Sequence, residues 1–181
     1  FDKNSDLELV SHHYEKNYQI LEVKIAKKKY VIRLNLIGKI QIKNILMSIL
    51  AAVNSGLNIN SIIKTIPLLK PAEGRLEKIG KLKNNSKVIL DFAHTPEALN
   101  TTLLNIKEQF PEGKIRLVFG CGGDRDKEKR FRMGKISSVY ADKIYLTDDN
   151  PRSENPQKIR RDIKKGNNFD NLAEIPNRRK A

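Results

Sequence analysis

The chain has 181 residues, of which 39% are hydrophobic, 31% charged and 6% aromatic, enough for a real core but short for two complete domains. Lys and Arg total 35 against 21 Asp and Glu, a formal charge of +14. No apolar run approaches the roughly 18 residues of a helical membrane span, which excludes that class. Ordinary hydrophobic content excludes a disordered chain despite the charge. Cys121 is the only cysteine, so an intramolecular disulfide framework and a cysteine-based zinc site are excluded and a reducing, cytoplasmic compartment is expected. The sequence opens on Phe1 without the pattern of a secretory signal, and it reads as a piece of a longer protein.

The basic balance invites a nucleic-acid reading, but the distribution argues against it. Lys outnumbers Arg about two to one and is scattered, and the runs Lys27–Lys29 and Arg178–Lys180 have no aromatic residues interleaved for base stacking. A solvated surface is the expected fate of these charges.

From Tyr18 to Leu36 the apolar positions alternate as Leu21, Val23, Ile25 and then Tyr30, Ile32, Leu34, Leu36, which predicts an antiparallel hairpin. Beyond Gly38, Ile42, Ile45, Leu46, Ile49, Leu50 and Val53 recur at helical spacing, predicting a helix over 41–55 with Gly56 at its C-terminal cap. A short helix over 61–66 is expected to end at Pro67, followed by a connection to a domain boundary near Gly74. Strands over 87–92, 115–119 and 143–146 then alternate with helices over 96–109, 129–140 and 156–165, the pattern of a parallel sheet covered by helices. Thr95 as N-cap, Pro96 at the first helical position and Glu97 in the first turn mark one helix start, and Gly166 is expected to close the last helix. The end of the chain offers one short strand over 172–175.

In an open parallel sheet, ligands bind outside the carboxyl ends of the strands. Three polar segments follow three successive strands here: Asp91-Phe92-Ala93-His94-Thr95-Pro96, Gly120-Cys121-Gly122-Gly123-Asp124-Arg125-Asp126 and Thr147-Asp148-Asp149-Asn150-Pro151-Arg152. All three are expected on one rim. Each also has a plainer reading. The glycines lack the full G-x-G-x-x-G fingerprint and read equally as a tight turn. The Asp-Asn-Pro string suits a solvated turn. An isolated histidine such as His94 is more often a hydrogen-bonded structural residue than a catalyst. Cys121 is a small apolar filler with no partner for chemistry. Against the plain reading of the third segment, two Asp, an Asn and an Arg together supply acceptors for an ammonium and a planar fork for a carboxylate, the groups that hold a zwitterionic amino acid.

In this order and spacing, Asp91 to Pro96, Phe119 to Lys127 and Asp148 to Arg152 resemble the Mur ligase family, and so do Gly74-Arg75-Leu76-Glu77 and the helix over 38–52. The third string is similar to that of the branch that adds meso-2,6-diaminopimelate. The resemblance implies an α/β chain: the end of a central ATPase domain over 1–74, followed by an incomplete Rossmann-like C-terminal domain over 75–181 with a mostly parallel sheet. It implies an amide ligase using ATP and Mg2+ that joins meso-2,6-diaminopimelate to UDP-N-acetylmuramoyl-L-alanyl-D-glutamate through an acyl phosphate, in peptidoglycan synthesis. A cytoplasmic monomer with no nucleic-acid or membrane partner goes with it. Carried over by position, Asn44 and Arg75 resemble nucleotide-contacting residues, and Asp91 resembles the aspartate on the ATP ribose, with His94 near it. Arg125, Asn150 and Arg152 resemble residues that bind the distal end of diaminopimelate, with Asp149 as acceptor for its ammonium. Lysine-adding relatives lack the arginine matching Arg152, which fits a second carboxylate being read there. No catalytic residue and no metal ligand is assigned within this chain.

The sequence also departs from the family. Gln41 and Ile40 stand where the family's nucleotide helix has Asn and Phe, which leaves the contact at Gln41 open. The phosphate-cradling G-x-x-x-x-G-K-[ST] loop is expected upstream of Phe1 and the G-K-G-H-E string beyond Ala181, so this piece alone is expected to be inactive. From the strand–helix alternation alone, a nicotinamide-dependent Rossmann oxidoreductase is a second reading, although its first-turn fingerprint is lacking. A basic nucleic-acid-binding module is a third, and it predicts steeply salt-dependent affinity.

Overall fold

Alternating apolar residues build the first layer in the computed structural model, which describes residues 6–167 and 170–181. Strands β1 (Leu7–Glu15), β2 (Tyr18–Ile25) and β3 (Lys28–Leu34) form an antiparallel sheet in that order. Leu21, Val23 and Ile25 of β2 and Ile32 and Leu34 of β3 face a core shared with Ile42, Ile45, Leu46 and Ile49 of helix α1 (Lys39–Asn54). Each buried aliphatic side chain contributes about 1.5–3 kcal/mol of transfer free energy. The hairpin expected from the alternation is β2–β3, with Val23 opposite Tyr30; β1 was not anticipated. Gln19, fully buried, donates from Nε2 to the carbonyls of Leu36 (2.8 Å) and Gly38 (3.2 Å), pinning the passage from β3 into α1. Helix α1 ends as expected: Gly56 has φ +86°, its N–H donates to Val53 and that of Leu57 to Ala52, the paired bonds of a Schellman motif. Helix α2 (Ile59–Thr65) starts on an Asn58 cap, and a 310 turn, Ile66–Leu68, carries the chain through Pro67 rather than stopping before it.

One expectation is corrected here. Strand β5 (Lys87–Leu90) pairs antiparallel with β4 (Glu77–Lys81) in a separate two-stranded sheet, whereas the sequence suggested that it opens the parallel one. Strand β4 reads Glu-Lys-Ile-Gly-Lys, and its one large apolar residue, Ile79, is exposed, so it lacks the period by which a strand is found. A short apolar run such as that of β5 does not by itself reveal the direction of its partner.

The remaining elements follow the expected alternation closely: α3 (Pro96–Gln109), β6 (Arg116–Phe119), α4 (Glu128–Tyr140), β7 (Lys143–Leu146), α5 (Pro156–Lys164) and β8 (Leu172–Glu174). Strands β6, β7 and β8 form a parallel sheet in that order. Thr95 caps α3 by accepting from the Ala98 N–H, and α4 packs against both α3 and α5. Leu99, Leu103, Met133, Ile144, Leu146, Ile159 and Ile163 form this second core. The chain divides into two compact units, Phe1–Phe92 and Ala93–Ala181. Among the described residues no helix is long and apolar enough to cross a membrane.

Candidate functional site

The strongest polar feature of the second unit lies where β6 and β7 end. Thr147 donates its N–H to Phe119 at 3.0 Å, so the segments after the two strands leave the sheet side by side. They then dock directly. The Gly123 N–H donates to the Asn150 carbonyl at 2.9 Å, and Arg152 returns a bond from Nη1 to the Gly123 carbonyl at 2.8 Å. A Cβ on Gly123 would stand 1.9 Å from the Pro151 carbonyl oxygen, so only glycine permits this approach.

Asp124 adopts φ +51° and holds the facing strand of chain with its side chain: Oδ2 accepts from the Ser153 N–H at 3.0 Å and Oδ1 from Ser153 Oγ at 2.8 Å. The Ser153 N–H holds the Asp124 carboxyl below the usual carboxylate range, with the hydroxyl adding to it. Arg125, next in the chain, is exposed. On the other side, Arg152 has φ +49° and its N–H donates to Asn150 Oδ1 at 3.3 Å. Its Nη1 lies over Gly122, where an added Cβ would come within 2.9 Å of it and 3.6 Å of Asp149 Oδ2. Arg178 Nη1 stands 3.6 Å from Asp149 Oδ1, with both side chains well exposed.

Asp148 faces elsewhere. Its Oδ1 accepts from Arg160 Nη1, and Arg160 Nε donates to Glu174 Oε1 at 2.7 Å. Of the two neighbouring aspartates, Asp148 is thus committed to a structural arginine on α5. In the first of the three polar segments, the His94 carbonyl accepts from Lys129 Nζ, in the first turn of α4, at 3.1 Å.

Three sequence-derived candidates, Asp149, Asn150 and Arg152, therefore gather around the Gly122–Gly123 turn, with Arg125 on the same turn. Asn44, Arg75 and Asp91 belong to the first unit. Asn44 Nδ2 donates to Gln41 Oε1 at 3.3 Å on the exposed side of α1. Arg75 stacks over the exposed Phe92 ring, its guanidinium carbon 5.2 Å from the centroid. Asp91 Oδ2 accepts from the Leu76 N–H at 2.8 Å, tying the strand end to the turn that follows Gly74.

Sequence reasoning missed Arg130 and Glu154. Arg130 is fully buried and donates from Nη2 and Nη1 to the two Glu154 oxygens at 2.7 and 3.0 Å, and from Nη1 to Asp162 at 3.4 Å. Glu154 Oε1 also accepts the Asp124 N–H at 2.6 Å. The available signal was a helix whose inward positions 130, 134 and 137 carry Arg, Gly and Ser where apolar residues would be expected.

The sequence profile of the Mur ligase, glutamate ligase domain matches residues 74–181. A UDP-N-acetylmuramoyl-L-alanyl-D-glutamate--2,6-diaminopimelate ligase of Brucella melitensis is 40% identical over 161 residues, covering 89% of this chain and 33% of the relative. One from Rhizobium meliloti is 41% identical over 157 residues, covering 87% and 32%. The chain spans about a third of the length of the curated relatives it matches. A solved diaminopimelate ligase structure superposes with a TM-score of 0.74 at 29% identity, over 99% of this chain and 37% of the other. A folylpolyglutamate synthase from Thermotoga maritima, at 20% identity over 94% of this chain and 39% of the other, shares the fold with a TM-score of 0.72. The profile match over the very segments that carry the docked loops, and the agreement of fold, lead to one conclusion: the chain belongs to the Mur ligase family.

Proposed function

We propose that this chain supplies the end of the ATP-binding domain, residues 1–74, and the amino-acid-binding domain, residues 75–181, of a cytoplasmic peptidoglycan ligase. Its reaction joins meso-2,6-diaminopimelate to UDP-N-acetylmuramoyl-L-alanyl-D-glutamate. The observation that carries the reading is the docking of Gly123 on Asn150 and of Arg152 on Gly123, which gathers a guanidinium, a carboxamide and a carboxylate beside the Arg125 turn. Relatives bearing that ligase name support it at about 40% identity.

A free carboxylate resists attack by an amine. ATP with Mg2+ supplies the phosphoryl group that turns it into an acyl phosphate, from which the amine displaces phosphate to give the amide. Among the described residues no group of three His, Cys, Asp or Glu side chains is arranged to hold a metal ion. The residues of this chain bind and orient. Arg152 gives one N–H to Gly123 and keeps the rest of its fork, with Arg125, for the distal carboxylate of diaminopimelate. Asn150 fixes the turn, and Asp149 accepts from the distal ammonium, leaving the other amine to react. On the nucleotide side Asn44, Arg75, Asp91 and His94 are assigned to ATP; the Arg75–Phe92 stack is a flat cationic surface suited to a base or phosphate.

The test is ATP-dependent ligation by the full-length protein with diaminopimelate and lysine side by side. Diaminopimelate is expected to win, because lysine leaves the guanidinium facing no carboxylate. Arg152→Ala should cut the preference about tenfold or more, the scale of one charge-assisted hydrogen bond. A preference for lysine overturns the substrate assignment.

A further inference from the structure

We propose that Glu154, held by the buried Arg130, is the positioning residue that sets where Arg125 and Arg152 stand. The inference rests on the diaminopimelate reading above and adds to it the device that aims the two arginines.

The Glu154 side chain joins the Arg125 turn to the helical layer beneath it. Its two oxygens receive the Arg130 fork at 2.7 and 3.0 Å, and Oε1 receives the Asp124 N–H at 2.6 Å as well. Its own N–H donates to Pro151 at 3.0 Å, so its backbone closes the Arg152 turn while its side chain closes the Arg125 turn. Between these anchors, Ser153 bonds Asp124 through both its N–H and its hydroxyl. Arg125 follows Asp124 and Arg152 precedes Ser153, so each arginine projects from a residue adjacent to the clamp.

Both turns need that hold. Asp124 and Arg152 sit at φ +51° and +49°, backbone that non-glycine residues adopt at a cost and keep only when surrounding bonds fix them. Arg130 supplies a rigid base: its side chain is wholly buried on α4 and is shared with Asp162 of α5. A buried ion triad adds little net stability once desolvation is counted. Its return here is geometric, because the planar fork fixes the Glu154 carboxylate in orientation as well as in place. The Arg130 fork and the Asp124 N–H together pull the Glu154 carboxyl down to about 2, so it stays ionised and accepts all three bonds at working pH.

The experiment compares the full-length protein with its Glu154→Ala and Glu154→Gln variants. KM for meso-diaminopimelate, ATP and the nucleotide dipeptide is measured alongside amide exchange at Asp124 and Arg125. Glu154→Ala should raise the diaminopimelate KM about tenfold or more, leave the other two within about twofold, and speed exchange at Asp124. Glu154→Gln keeps a carbonyl for the Asp124 N–H and should recover most of that loss. Equal changes in all three constants, or an unchanged diaminopimelate KM, would overturn the positioning role. If Glu154→Ala does not fold, Glu154→Gln decides alone: a diaminopimelate KM raised two- to fivefold with the others unmoved supports the role, and no selective change overturns it. Unmutated protein without diaminopimelate-dependent turnover overturns the parent reading instead, and the substrate role of Glu154 with it.

Discussion

Arg152 donates from Nη1 to the Gly123 carbonyl at 2.8 Å while Gly123 donates to Asn150 at 2.9 Å, so two loops separated by 27 to 29 residues hold one another by reciprocal backbone recognition. The contact requires a bare backbone, since a Cβ on Gly123 would lie 1.9 Å from the Pro151 oxygen. Gly123→Ala should therefore push the loops apart, costing about 1–3 kcal/mol of stability and raising the diaminopimelate KM about tenfold or more. Thermal melts together with steady-state kinetics check both parts, and wild-type values for either would contradict the docking.

The helices beneath the loops meet by the same device. Gly134, in the middle of α4, faces the Ile163 carbonyl so closely that a Cβ would come within 2.0 Å of its oxygen. Alanine is the better helix former by about 1 kcal/mol, yet the collision should dominate. Gly134→Ala is expected to destabilise by about 1–3 kcal/mol in urea titration. Gly80 in β4 has nothing within 4 Å of where a Cβ would stand and is the control: Gly80→Ala should fall within about 0.5 kcal/mol of wild type.

Cys121 should be chemically silent in the native state. Its Sγ lies 3.7 Å from Met133 Sδ inside the second core, and burial pushes the thiol up to about 11. With so little thiolate at pH 8, alkylation by iodoacetamide should run about a hundredfold or more slower than in urea-unfolded protein. Native labelling as fast as unfolded would show that the core around β6 opens readily.

The second unit was legible because local signals agreed there: Thr95, Pro96 and Glu97 announce α3, and both its ends fall where the sequence puts them. What was hidden depends on partners distant in the chain. Strand β4 offers no apolar period and exists through pairing with β5. The last helix does stop before Gly166, with Lys165 as its cap, but nothing in the sequence signalled the close packing there: a Cβ on Gly166 would stand 2.0 Å from the Phe131 carbonyl oxygen. In the candidate site, Asp149, Asn150 and Arg152 were visible as an unusual string. Arg130 and Glu154 were not, since a charged residue on a helix reads as solvent-facing until its carboxylate partners, 24 and 32 residues on, are seen.

Acid should loosen the loop clamp before it reaches the apolar core. The Arg130 fork, followed by the Asp124 N–H, lowers the Glu154 carboxyl from an ordinary 4.5 to about 2, against desolvation that opposes the shift. Because the folded value lies below the unfolded one, the unfolded chain binds more protons between these limits. The Glu154 contribution is complete above about 4.5 and is lost as pH falls toward 2. Asp124, Asp162 and Glu174 are lowered as well, through Ser153, Lys165 and Arg160 respectively, and act in the same direction. Unfolding free energy should therefore decline from pH 5 downward. Glu154→Gln, with no carboxyl to titrate, should show a shallower slope across that window even though it starts from lower stability. Parallel slopes for the variant and the parent in urea titrations at pH 5, 4 and 3 would mean that Glu154 does not carry its charge against Arg130 in the folded protein.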